Sequence, residues 1–138
     1  MALPKSSEAR IFYRSAKQRL EDALILDQHS RGTGAVYLAG YGVECILKAL
    51  ILDSLTARGR AQMLKDFRGQ RAHNFDWLRM EYVRGGGPPF PRQVNESFLL
   101  VTDWSTDIRY MSGVRDPDDV STFSAATEAI IAWANGRF

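Results

Sequence analysis

The chain has one cysteine, Cys45, and two histidines, His29 and His73, among 138 residues. One cysteine excludes an internal disulfide and fits a reducing, cytoplasmic setting. With so few His and Cys, and no recurring ligand spacing, a metal centre is not expected. Charge of one sign is scarce as well. Net charge is +2, too small to argue for general nucleic-acid binding through a charged surface. Long apolar runs are missing. The most apolar one, Ile46 to Leu52, contains Lys48 and falls far short of the ~20 residues that span a bilayer. The first residues, MALPKSSEARIF, lack the apolar core of a signal peptide. No strand-like alternation, internal repeat or low-complexity stretch occurs.

Some reaction classes fall away on the same grounds. No Gly-x-Ser-x-Gly nucleophile elbow is present. Gly85, Gly86 and Gly87 look like a phosphate loop, but Pro88 and Pro89 remove the backbone donors that a phosphate cradle needs. Cys45 sits mid-helix among apolar neighbours, a setting for inert packing rather than nucleophilic attack.

What is present reads as helix. Hydrophobic residues are 45% and charged residues 25%, ordinary values for a single globular domain spanning 1–138. Ser6 or Ser7 can cap a first helix through Ile11, Phe12, Ala16, Leu20 and Leu24. A turn is expected at His29 to Gly34, broken by Gly32 and Gly34. A second helix then runs to about Leu55, with a short one near Ala61 to Phe67. Asn74 can cap a further helix through Tyr82. A long helix is expected over Val94 to Ile108. The last helix starts with Asp116 as cap and Pro117 at its first position, followed by Asp118 and Asp119.

The second helix, AVYLAGYGVECILK from Ala35, is apolar on nearly every side and belongs in the core. It carries four polar groups, Tyr37, Tyr41, Glu44 and Lys48, spaced to lie along one stripe. That stripe is either satisfied internally as a structural pair or opens onto a groove. Gly40 and Gly42 are expected to admit a close neighbour, and Trp104 to anchor the core.

Three phrases carry a resemblance. YLAGYGVECILKA (Tyr37 to Ala49), AHNFDWL (Ala72 to Leu78) and WSTDIRY (Trp104 to Tyr110) occur in the order found in small bacterial members of the HEPN superfamily, with Asn74 where an Asp is usual. The resemblance covers about Arg14 to Trp133. It implies an all-α, up-and-down bundle of four to five helices, usually a homodimer and often paired with a nucleotidyltransferase in a two-component, toxin–antitoxin-like system. Family roles include RNA cleavage, nucleotide binding and non-catalytic assembly.

Catalytic members use an Arg followed by a His near the start of the final helix, without metal or other cofactor. Here Arg109 stands at the Arg position, and no His follows it. The expectation is therefore a nucleotide- or RNA-related binding component without robust nuclease activity, with Tyr37, Tyr41, Glu44, Lys48 and Tyr110 as ligand contacts. One alternative is a metal-independent endoribonuclease using His73 with Arg68 or Arg109. The other is a structural adaptor, in which Glu44 and Lys48 are buried and paired.

Overall fold

A computed structural model describes residues 2–112 and 115–138. Among these residues the chain is all-helical: α1 (Ser7–Gln28), α2 (Gly32–Asp53), α3 (Ala57–Asp66), α4 (Phe75–Arg84), α5 (Arg92–Leu100) and α6 (Pro117–Asn135). Two 3₁₀ turns, Gln70–His73 and Thr106–Tyr110, complete the set. An all-α bundle was expected and is found; six α-helices stand among the described residues where four to five were expected.

The centre is α2. It packs along α1 and is covered by α6, α4 and the Thr106–Tyr110 turn. Val43, Ile46, Leu47 and Leu52 have no exposed surface, as an all-round apolar helix requires. By length and composition α2 could cross a membrane, but most of it is buried inside the bundle. α1 packs closely at Gly42: a Cβ there would lie 3.3 Å from the Ala16 carbonyl oxygen and 3.3 Å from Ile131 Cδ1 of α6.

Several starts follow local chemistry. Ser6 Oγ accepts from the Ala9 N–H at 3.1 Å. Asn74 Oδ1 accepts from Trp77 N–H at 3.0 Å, and Asp116 Oδ1 from Asp118 N–H at 2.8 Å. Each satisfies an amide that the helix itself leaves unpaired. Thr56 caps α3 in the same way, through Gly59 N–H at 3.2 Å, so that helix starts one turn earlier than expected.

Two expectations need correction. Gly32 and Gly34 do not break the chain; they form the first turn of α2, and Ser30, with φ 59°, makes the turn instead. Gly32 is small because Val120 of α6 approaches, with a Cβ there 2.9 Å from Val120 Cγ2. The long helix over Val94 to Ile108 is interrupted. α5 stops at Leu100, and Ser105 Oγ accepts from Asp107 N–H at 3.2 Å to start a separate 3₁₀ turn. The interruption lets Trp104 turn inward onto α2.

Candidate functional site

The three sequence phrases meet at one place. Tyr37 and Tyr41, one helical turn apart on α2, contact edge to face with ring centroids 5.1 Å apart. Trp104 stands against Tyr41 at 5.2 Å and stacks flat on Phe75 at 5.1 Å. Its Nε1–H donates to the Tyr37 carbonyl at 3.3 Å. Gly40 makes this possible: a Cβ there would fall 1.9 Å from Trp104 Nε1.

Below the tyrosines lies a buried charged group. Glu44 is 3% exposed and Lys48 5%. Lys48 Nζ donates to Glu44 Oε2 at 2.9 Å and lies over the rings of Phe67 at 5.1 Å and Phe12 at 5.7 Å. The second carboxylate oxygen, Oε1, meets His73 Nδ1 at 2.8 Å. The His73 side chain is 37% exposed, and its Nε2 has no partner among the described residues. Because Glu44 accepts, the proton belongs on Nδ1. A neutral His73 then presents a lone pair at Nε2, and a protonated one presents an N–H.

Arg109 approaches from the Thr106–Tyr110 turn. Its guanidinium lies 4.8 Å from the centre of the Tyr110 ring. Interaction with Tyr110, and to a smaller extent with Tyr37, holds it charged and raises its pKa. Tyr110 is 75% exposed. Burial raises the Tyr41 phenol above its ordinary value; hydrogen bonding with Tyr37 adds to that, and nearby Arg109 opposes it. Tyr41 is therefore a neutral hydrogen-bonding group at ordinary pH, not a base.

The predicted residues thus divide. Tyr37, Tyr41, Glu44, His73 and Arg109 come together, with Tyr110 at the open edge. Lys48 faces inward and offers no surface to a ligand. Arg68 is exposed and makes no side-chain hydrogen bond or ion pair among the described residues, to His73 or to any other group. Arg71 instead stacks its guanidinium over Trp77 at 5.0 Å. The Glu44–His73 contact joins residues 29 positions apart and had no signal in residue spacing. Cys45 is half-buried, and that desolvation pushes its thiol up to about 11, with Glu44 adding to the rise; it holds no reactive thiolate near neutral pH. No group of three or more His, Cys, Asp or Glu side chains gathers among the described residues.

Comparison with protein-family models, with curated proteins and with solved structures finds no match to this chain.

Proposed function

We propose that this protein is a HEPN-like component that binds a nucleotide or an RNA strand at the His73 end of the cluster, without robust nuclease activity, and works beside a nucleotidyltransferase partner. One observation carries the reading. His73 is anchored through Nδ1 by a buried carboxylate while Nε2 stays unpartnered among the described residues, and Tyr41 stands between it and the exposed, charged Arg109. A protonated, held imidazole, which donates from Nε2, and a guanidinium are donors that a phosphate oxygen accepts from. The exposed Tyr110 adds a face on which a base can stack.

Binding of labelled single-stranded RNA and of ATP, followed by fluorescence anisotropy, tests this. Wild type binds, and binding weakens with added salt. His73→Ala and Arg109→Ala each weaken binding by about tenfold, the loss of one charge-assisted hydrogen bond, with unchanged circular dichroism. No binding by wild type defeats the proposal and favours the adaptor reading, which the buried Glu44–Lys48 pair supports. The endoribonuclease reading draws on the same Glu44–His73 contact, since a carboxylate-oriented imidazole is the arrangement of a general base. RNA that is cut by wild type and left intact by His73→Ala would favour it.

The same reading includes a homodimer. Leu99 and Leu100 at the end of α5 and Met111 just past the Thr106–Tyr110 turn are exposed large apolar side chains, and the weak net charge opposes association little. Light scattering at micromolar concentration should give twice the monomer mass. A monomer mass across that range contradicts the dimer.

A further inference from the structure

A polar cavity lies at the Asp53 end of α2, apart from the His73 cluster. Asp53 lies 16 positions beyond Tyr37 on that helix, about 24 Å along its axis, and the two places share no residue. The cavity has a volume of about 390 Å³, and its walls include Lys5, Asp53, Ser54, Tyr82, Gly87 and Arg137. That size falls within the range of small-molecule sites.

Tyr82 is the informative residue. It is 4% exposed, yet its hydroxyl has no hydrogen-bond partner among the described residues. The hydroxyl is not sealed from solvent and Tyr82 lines the cavity wall, so it is a donor that water or a ligand can take up. Gly87 fixes the ring in place. A Cβ there would lie 2.4 Å from Tyr82 Cζ, the carbon that carries the hydroxyl, and the Gly87 N–H donates to the Tyr82 carbonyl at 3.0 Å. Burial raises the phenol above its ordinary value, against a smaller opposing effect of Arg137. The hydroxyl therefore stays protonated and able to donate.

The remaining walls are chemically sorted. Lys5 Nζ and the Arg137 guanidinium make no ion pair among the described residues; Arg137 lies over Trp133 at 5.7 Å. Asp53 Oδ1 accepts from the Lys5 backbone N–H at 2.7 Å, which leaves Oδ2 unengaged. Ser54 Oγ donates to the Ile51 carbonyl at 2.8 Å, so toward the cavity it can only accept. Two cations and a neutral donor thus face one carboxylate and one acceptor. A small monoanion that also carries its own donor satisfies all of them. A dianion would meet the Asp53 carboxylate.

We propose that this cavity binds a small carboxylate bearing an amino or hydroxyl donor, with the carboxylate on Tyr82, Lys5 and Arg137 and the donor on Asp53 and Ser54. The site is independent of the His73 cluster, and His73→Ala leaves it unchanged.

The test is a titration of the full chain with L-serine, with L-lactate and with inorganic sulfate, a dianion without a donor, followed by two-dimensional amide NMR. Serine and lactate should give saturable shifts at the Gly86, Gly87 and Arg137 amides, and sulfate should not. Tyr82→Phe keeps the ring and removes only the hydroxyl. It should weaken binding by about tenfold or more, with the unfolding temperature retained. Arg137→Gln, on a surface side chain, should weaken binding similarly and serves if the phenylalanine variant is unstable. No shift with either probe overturns the proposal, as does binding that both variants leave intact. Shifts from sulfate equal to those from the carboxylates overturn the ligand class.

Discussion

Lys48→Met should destabilise the protein by about 3–5 kcal/mol, because it leaves the Glu44 carboxylate buried without its ammonium partner. Glu44→Leu should cost a similar amount by leaving Lys48 uncompensated between Phe12 and Phe67. The double variant should be markedly more stable than either single one. Both charges are then gone, and apolar groups of similar volume replace a pair whose desolvation offsets much of its attraction. Urea unfolding of the three variants, read as midpoints at a common slope, measures this. Single variants within 1 kcal/mol of wild type, or a double variant at the sum of the singles, would contradict a tightly coupled buried pair. The double variant also separates structure from binding. It removes the carboxylate that anchors His73 but retains the imidazole, so a folded double variant that binds RNA as wild type does would deprive the Glu44–His73 contact of its proposed role.

Gly40→Ala should cost about 3 kcal/mol or more. The added methyl would overlap the Trp104 indole, so the ring must leave its place, losing its hydrogen bond to the Tyr37 carbonyl and its stack on Phe75. Overpacking of this kind is typically worth about 1–3 kcal/mol, and loss of a buried indole's packing about 3–5 kcal/mol. Trp104→Ala alone should fall in the latter range. Gly40→Ala added to Trp104→Ala should then cost nothing, or gain the ~1 kcal/mol by which Ala exceeds Gly in a helix interior. Thermal unfolding of this cycle gives the coupling directly. Additive effects would mean that Gly40 and Trp104 do not share one space.

Much of the architecture was legible in local chemistry. The core position of α2 follows from a segment apolar on every side, which has nowhere else to go. Ser6, Asn74 and Asp116 announce helix starts because a short polar side chain satisfies an orphan amide in any context. Trp104 reads as a core anchor from its size alone. The break between α5 and the Thr106–Tyr110 turn was not legible. Val94, Phe98, Val101, Trp104 and Ile108 are all buried and keep a helical spacing straight through it. Burial sets that spacing, and the chain can keep the same face inward while abandoning the helix.

The candidate site divides along the same line. Residue spacing determined that Tyr37, Tyr41, Glu44 and Lys48 share one stripe, and that Glu44 and Lys48 are one turn apart, since helix geometry is local. Whether that stripe is open or closed is decided by what packs over it. Only the tertiary structure turns Lys48 inward beneath two aromatic rings, brings His73 to the other oxygen of Glu44, and sets Arg109 beside Tyr37. Such contacts join segments far apart in the chain. They depend on how α2 packs against its neighbours, and no local periodicity encodes that packing.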